Sequence, residues 1–255
     1  MLRQVQGTRK RRHGSAGWNG SVALRTIECL AATDDVVDAI HRILRVIVDE
    51  TGIQCAGIRL KEGDDFPYYA FSGFSREFIR LESSLCLRNP DGSLATDGQG
   101  RPALACLCGR VLRGQTLPDD SCFTGTGSFF TPCLQALNVD PARLGPIRDR
   151  CIGEGFQTQA LVPLRQGGET IGLLHLSDPN AHMLTEDDVA FLERLGASVG
   201  IALAYKQDLE RQRRTDDTYR DLFEKLGWGY ALHEMIYDAK GAPVDYVTLD
   251  TNQSY

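Results

Sequence analysis

Residues 156–178, FQTQALVPLRQGGETIGLLHLSD, restrict the possible folds of this chain more than any other segment. Two apolar, β-rich runs flank the turn QGGE, and this pattern predicts a β-hairpin. A second pair of strand-like runs, CAGIRLKEG and FPYYAFSGF, lies earlier in the chain and is joined by the acidic turn EGDD. The chain is therefore expected to contain two separate pairs of neighbouring strands.

Helical periodicity precedes and follows these strands. In TDDVVDAIHRILRVIVDETG the apolar residues follow helical spacing, with Thr33 as the expected N-cap and Gly52 as the expected end. A shorter helix is expected over SVALRTIECLAA. After the hairpin, LTEDDVAFLERLGASVGIALAYKQDLERQRR predicts a long helix in which Thr185 and Asp188 resemble a capping box. Its narrow apolar stripe continues to Leu209 and predicts helix pairing in a homodimer.

Composition limits the classes of partner and compartment. The 255 residues, 42% hydrophobic and 24% charged, are typical of a globular protein. A net charge of −6 argues against a nucleic-acid partner, which needs a basic face. No apolar run approaches the ~20 residues of a membrane span. The basic start also lacks the apolar core of a signal peptide. We therefore expect a cytoplasmic chain whose residues 1–20 form a solvated, disordered basic tail.

Six of the eight cysteines lie between positions 86 and 151. This region belongs to about ninety residues, rich in Gly, Pro, Ser and Asp, that separate the two strand pairs and far exceed an ordinary loop. Cytosolic thiols stay reduced, so these cysteines are expected to be core thiols, ligands or redox groups. Cys106 and Cys108 would share one face of a strand, and a turn could also aim both sulfurs at one ion. Cys29 and Cys55 are expected to be packing residues in a helix and a strand.

The order helix, two strands, long variable insertion, hairpin and long exit helix resembles a GAF domain between about residues 22 and 206. The motifs GIRLKEGDDFPYYAFSGF, CLCGRVLRG, RDRCIGEGFQTQALVPLRQGGETIGLLHLSD and FLERLGASVGIALA are similar to GAF domains that precede PAS domains in bacterial and archaeal sensor histidine kinases. The segment LFEKLGWGYALHEMIYDAKGAPVDYVTLDTNQSY is similar to the opening of a PAS domain. The resemblance implies an α+β fold with a central antiparallel sheet flanked by helices. It also implies a long irregular insertion and a long C-terminal exit helix that leads into a partial PAS-like segment.

This resemblance implies a domain organisation and a function. We expect a GAF sensor domain at residues 21–206, a helical linker at 207–225 and an incomplete PAS-like segment at 226–255. The implied function is a non-catalytic sensory input module, expected to belong to a sensor histidine kinase. It would pass a redox, metal, small-molecule or gas signal along the exit helix to a downstream kinase or response-regulator partner. The alternative is an enzyme, because free methionine-sulfoxide reductases also combine a GAF fold with cysteine nucleophiles.

The resemblance also suggests a metal site. Cysteines recur in this GAF subgroup in contexts like SLC, CLCG and RDRCIGEG, which contain Cys86, Cys106, Cys108 and Cys151 here. Four thiols match a tetrahedral zinc site or an iron–sulfur cluster by count. The remaining two cysteines of the insertion, at positions 122 and 133, are either incidental or a redox pair.

One histidine and two glycine-containing stretches complete the candidate sites. His175, on the second hairpin strand, is either a satisfied core or surface histidine or, as in some GAF sensors, an axial haem ligand. GTGSFFT at residues 125–131 and GEG at 153–155 could wrap a ligand with backbone amides. Because neither stretch has the strand-to-helix context of a phosphate-binding loop, we interpret both as turns.

Overall fold

The computed structural model describes residues 4–5, 19–115, 122–137, 147–225 and 227–255. It divides into two compact units, Met1–Lys206 and Gln207–Tyr255. The helices are α1 (Asn19–Ala31), α2 (Val36–Thr51), α3 (Arg76–Glu82), α4 (Cys106–Leu112), α5 (Arg150–Gly153) and α6 (Glu186–Glu224), with a short 3₁₀ helix at Leu134–Ala136. The strands are β1 (Gln4–Val5), β2 (Cys55–Leu60), β3 (Tyr68–Ser72), β4 (Phe129–Thr131), β5 (Thr158–Gln166), β6 (Glu169–Asp178), β7 (Ala231–Tyr237) and β8 (Pro243–Thr251).

The first unit is built on one sheet with the strand order β1-β3-β2-β6-β5-β4. The five strands from β3 to β4 are antiparallel to their neighbours, which confirms the expected α+β fold with a central antiparallel sheet. β5 and β6 form the predicted hairpin, and its turn residues Gly167 and Gly168 both have positive φ, as such a tight turn favours. Most of the predicted basic tail lies outside the described residues. β1 lies within this tail and pairs in parallel with β3. The sequence did not predict a strand at β1.

Helix α2 packs on one face of this sheet through an apolar stripe that includes Ile40 and Ile43. Its N-cap is Asp35 rather than Thr33, because the Asp35 carboxylate accepts the main-chain amides of Val37 at 2.7 Å and Asp38 at 3.3 Å. Thr33 lies before this N-cap residue and outside the helix, and its hydroxyl accepts the main-chain amide of Asp35 at 3.1 Å. Gly52 ends the helix in the left-handed conformation, as predicted.

Helix α6 covers the same face. Its predicted capping box is present: the Asp188 carboxylate accepts the Thr185 amide at 2.9 Å, and the Thr185 hydroxyl accepts the Asp188 amide at 3.3 Å. A Cβ at Gly200 would lie 2.5 Å from the Arg165 carbonyl oxygen, so glycine is what lets the helix approach β5. The apolar stripe that predicted helix pairing is buried here against the sheet, including Val199. That part of the stripe therefore belongs to the core of the unit.

The opposite face of the sheet is covered by α3, α4 and part of the long insertion. A second apolar cluster lies here, and it includes Phe78 of α3, Val111 of α4 and Leu161 of β5. β5 contributes alternate residues to the two faces, with Ala160, Val162 and Leu164 on the α6 side. Of the helices that the structure describes, none combines the length and apolar character that crossing a membrane requires.

The second unit contains the C-terminal part of α6 and an antiparallel hairpin formed by β7 and β8. The buried side chain of Asn252 fastens this hairpin to the helix end. It donates to the carbonyls of Phe223 at 3.2 Å and Trp228 at 2.9 Å, and it accepts the Tyr230 amide at 2.8 Å. Several large apolar side chains of the hairpin are exposed, among them Tyr237 and Val244.

Candidate functional site

A cavity of about 360 Å³ lies on the face of the sheet covered by α3 and α4. Side chains of β2, β3, β5 and β6 form its floor, and the walls come from α3, α4, the 3₁₀ helix and residues 147–152. The floor is polar as well as apolar, since it includes a buried arginine, glutamine and histidine. The floor residues are Arg59, Tyr68, Gln159, Leu161 and His175.

Two of the predicted cysteines reach this cavity because they lie in the first turn of α4, rather than on a strand or in a turn. Gly109 lets α4 sit close to the preceding segment, since a Cβ there would lie 2.6 Å from the Leu104 Cβ. Cys106 has a φ of 64°, in the left-handed region. A residue with a side chain is uncommon there and costs on the order of 1–3 kcal/mol, a strain that functional sites often carry.

The structure brings three of the four predicted metal ligands to the cavity and leaves the fourth outside its lining. Cys106, Cys108 and Cys151 line the cavity. The main chain of Cys86 instead pairs with that of Leu104 in an isolated antiparallel β-bridge. Its thiol donates to the carbonyl of Asp64 at 3.7 Å. Within the described ranges, no three His, Cys, Asp or Glu side chains are arranged to hold a metal ion. The four-cysteine centre therefore stays a prediction.

Burial determines the protonation of the three cavity thiols. It raises the pKa of Cys108 to about 12, although the positive charge of Arg59 opposes the rise. It also raises the pKa of Cys151 strongly, and the neighbouring Cys108 thiol adds to that effect. The pKa of Cys106 is raised by burial too, but here the Arg148 amide, which donates to the sulfur at 3.3 Å, opposes the rise. All three thiols are therefore protonated and neutral at pH 7.

The buried guanidinium of Arg59 holds the end of α3 against the sheet. It donates to the carbonyls of Phe66 at 2.9 Å, Glu82 at 2.6 Å and Ser83 at 3.1 Å. Its central carbon lies 3.7 Å from the centre of the Tyr68 ring, a cation–π contact. The last carbonyls of a helix carry partial negative charge, so they stabilise this buried cation.

The side chain of His175 is held at both ring nitrogens. Nδ1 lies 2.6 Å from the Tyr68 hydroxyl, and Nε2 lies 2.9 Å from the Ser177 hydroxyl and 3.1 Å from the Gln159 amide nitrogen. Because that amide nitrogen can only donate, Nε2 accepts and Nδ1 carries the proton. Burial, with a contribution from Arg59, lowers the pKa of His175 to about 3. The haem role of His175 stays a prediction, and it would require one of these hydrogen bonds to break.

Two arginines fasten the wall formed by residues 147–152 to α3. The buried Glu82 carboxylate lies 2.9 Å from Arg150 Nε and 3.7 Å from a terminal nitrogen of Arg148. Arg148 also donates to the Ser84 carbonyl at 2.7 Å. Glu82 and Arg150 also line the cavity next to Cys151, so this ion pair forms part of its wall.

A family model described as a GAF domain matches residues 33–204. The chain belongs to the GAF family. A search of curated protein sequences found no significant match.

Solved structures share this fold at low sequence identity. The GAF domain of a phosphoenolpyruvate-protein phosphotransferase from Coxiella burnetii is 11% identical, with a TM-score of 0.54 over 78% of this chain and 99% of that one. A free methionine-R-sulfoxide reductase from Neisseria meningitidis, solved with its substrate, is 16% identical, with a TM-score of 0.51 over 80% and 96%. A reductase of the same kind from Staphylococcus aureus, in its reduced form, is 10% identical, with a TM-score of 0.50 over 76% and 99%. These similarities show the fold, and a GAF fold hosts more than one activity.

Of the polar residues on the floor of this GAF cavity, His175 was a candidate from the sequence, whereas Arg59 and Gln159 were not. Arg59 carried a usable signal, because a charged residue in the middle of an apolar strand has to be satisfied inside the protein. Gln159 offered a weaker indication, since it is a polar residue directly before the apolar run at residues 160–164 of β5. Glu82 carried none, because its burial depends on the two arginines that reach it from the far end of the insertion.

Proposed function

We propose that this chain is the sensory input module of a signal-transduction protein and that its GAF cavity receives the signal. One observation carries the proposal: Cys106, Cys108 and Cys151 line a single cavity of about 360 Å³ above a buried polar floor. Small-molecule sites commonly begin at volumes of about 300 Å³. The cavity is therefore large enough for a small ligand and rich enough in thiols for chemistry at sulfur.

Three kinds of signal fit three protonated thiols. A small molecule can occupy the space, an oxidant can join two thiols in a disulfide, and a soft metal ion can bind them as thiolates with release of their protons. The metal form of the proposal, a zinc or iron–sulfur centre, requires Cys86 to join the other three. Because Cys86 bonds elsewhere in the structure, we favour a small molecule or an oxidant as the signal.

Strand β5 gives the signal a route to the exit helix. Gln159 and Leu161 line the cavity on one face of β5, while Val162 and Leu164 pack with α6 on the other face. A change in the cavity can therefore alter the position of β5 and the packing of α6. α6 continues to Glu224, and we propose that it passes the signal to a PAS-like segment and from there to a kinase.

The test is to fill the cavity. Leu107 lines it, so Leu107→Trp should remove the space, while Leu94→Trp makes the same change at an exposed position. Anaerobically purified chains would be analysed by native mass spectrometry, metal analysis and visible absorbance, with hydrogen–deuterium exchange of α6 as the readout of signal transfer. We expect a bound mass or a peroxide-sensitive thiol pair in the wild type and in Leu94→Trp. We also expect its loss and altered exchange of α6 in Leu107→Trp.

Several results would overturn this proposal. A wild-type chain with no bound mass, no metal and no thiol oxidised by hydrogen peroxide would leave the cavity without a signal. Exchange of α6 that is identical in the wild type and Leu107→Trp would exclude the proposed route. Metal content that disappears in Cys86→Ser as well as in Cys106→Ser would instead establish the four-cysteine centre as the form of the signal.

The second candidate function is reduction of free methionine sulfoxide. The observation in its favour is that three thiols line one cavity, as an attacking and a resolving cysteine would need to do. The raised pKa values of these thiols are unfavourable, because the attacking group is a thiolate. Turnover of methionine sulfoxide with a thiol reductant, abolished in Cys151→Ser, would establish the enzyme and refute a purely sensory role.

A further inference from the structure

A second concave surface, unconnected with the thiols, lies along α6. It is a groove of about 350 Å³ between the turn at residues 124–128, the end of β5 and one face of α6. It exists because β4 has only three residues and pairs with β5 from Gln159 to Leu161. Beyond Leu161, no described strand lies beside β5 on that side. Thr126, Ser128, Arg165, Glu193 and Arg194 supply its polar lining.

The turn is fixed in place by hydrogen bonds. The Thr124 amide donates to the Ser128 carbonyl at 2.9 Å, and the Ser128 amide donates to the Thr124 hydroxyl at 3.0 Å. Gly127 has a φ of 89°, which glycine adopts without strain. The Thr124 hydroxyl in turn donates to the Glu193 carboxylate on α6 at 2.5 Å. The turn is therefore anchored to α6 without a ligand, and the single carboxylate of the groove has a partner.

Three donors of the groove lack a partner in the described part of the chain. Ser128 is fully buried, and its hydroxyl makes no hydrogen bond there. Neither guanidinium, that of the half-buried Arg165 or that of the exposed Arg194, makes an ion pair or side-chain hydrogen bond with a described residue. A buried hydroxyl is normally satisfied, so this one has a hydrogen bond left to donate to an acceptor that enters beside the turn.

We propose that this groove binds the oxyanion of a small phosphate monoester or of free phosphate. Arginine guanidinium groups match phosphate oxygens in a forked geometry, and the Ser128 hydroxyl, which is closed to solvent, becomes a further donor once the turn shifts to admit the anion. Two arginines against one hydrogen-bonded carboxylate leave a net positive charge, which disfavours a cation. A phosphate group here would join β5, the turn and α6. It would thus hold the exit helix against the sheet, independently of the thiol cavity.

Isothermal titration calorimetry of the full chain with inorganic phosphate and with glycerol 3-phosphate tests this site, with sodium chloride at equal ionic strength as the ionic control. Arg194→Gln and Ser128→Ala should each weaken binding, Arg194→Gln by about tenfold because a charged hydrogen bond is lost. Arg45→Gln removes the same charge from an exposed position on α2 and should bind like the wild type. Tighter binding of the ester would identify a metabolite, and equal binding would identify the free anion.

The opposite results would overturn the site. No heat with either phosphate compound, or equal weakening in Arg45→Gln and Arg194→Gln, would show that no specific oxyanion site exists. Leu107→Trp, which fills the thiol cavity, should leave phosphate binding unchanged. Failure of the sensory proposal and failure of the phosphate site can thus be observed separately.

Discussion

The protonation of His175 should make the stability of this protein fall as pH is lowered from about 6.5. Its pKa is lowered from 6.5 to about 3 in the folded chain, where its side chain is 1% exposed. Between these two values the unfolded chain binds a proton that the folded chain does not bind, so acid favours unfolding. Each pH unit in that window removes up to about 1.4 kcal/mol, which gives a loss of about 2 kcal/mol at pH 5.

Urea unfolding near pH 7.5 and near pH 5 measures this effect. The wild type should lose about 2 kcal/mol through His175 alone, whereas His175→Gln, though less stable overall, should lack this part of the pH dependence. His182→Asn is the matched control, because His182 is exposed and has a φ of 60°, a conformation that asparagine tolerates. Its pH dependence should equal that of the wild type.

The shifted carboxyl of Asp65 does not interfere with this measurement. Burial alone would raise its pKa, but the hydrogen bonds that it accepts, first that of Ser84 and then those of main-chain amides, outweigh burial and hold the pKa below its usual 3.8. Its contribution is lost only as pH falls below that value, outside the window used. If His175→Gln loses as much free energy of unfolding between the two pH values as the wild type does, His175 is not held neutral in the folded chain.

The remaining predictions concern stability and assembly. Above pH 9 the thiol of Cys108 ionises in the unfolded chain, whereas in the folded chain burial raises its pKa to about 12 and it stays protonated. The free energy of unfolding should therefore fall as pH rises, and it should fall less steeply in Cys108→Ala. Equal slopes of the two chains in urea unfolding would contradict this. Asp35→Ala should lower the free energy of unfolding by about 1 kcal/mol, as loss of an N-cap does, and an unchanged denaturation midpoint would contradict the assignment. If α6 pairs in a homodimer, Ile201→Glu combined with Tyr205→Glu should produce monomers in light scattering, because both side chains are exposed. Val199→Asp should instead unfold the buried core, and a monomeric wild type would rule out the dimer.

Local sequence signals predicted the elements of this fold well. The Gly167–Gly168 turn, the Thr185–Asp188 capping box and the stop at Gly52 each depend on a few neighbouring residues, and each was found where expected. The prediction of Thr33 as the N-cap was wrong, because the N-cap is Asp35, two residues later. Both side chains suit that role. α4 was missed because a seven-residue helix, rich in cysteine and glycine, shows little periodicity.

The cavity could not be predicted in the same way, because long-range packing decides which thiols meet. Cys106 and Cys108 are close in sequence, but Cys151 joins them in the cavity lining from a distant segment, whose Arg148 and Arg150 pair with Glu82. Cys86 satisfies the same sequence pattern, yet its bridge to Leu104 takes it to the outside of the cavity lining. The sequence pattern thus identified the region, and the structure places three of the four predicted cysteines in the cavity lining. The pKa values depend on the same packing: burial keeps the thiols neutral, and Arg59, the one floor residue with a permanent charge, opposes that effect at Cys108. A signal that lets more solvent or positive charge into this cavity would therefore change the reactivity of the thiols, which is what a thiol-based sensor requires.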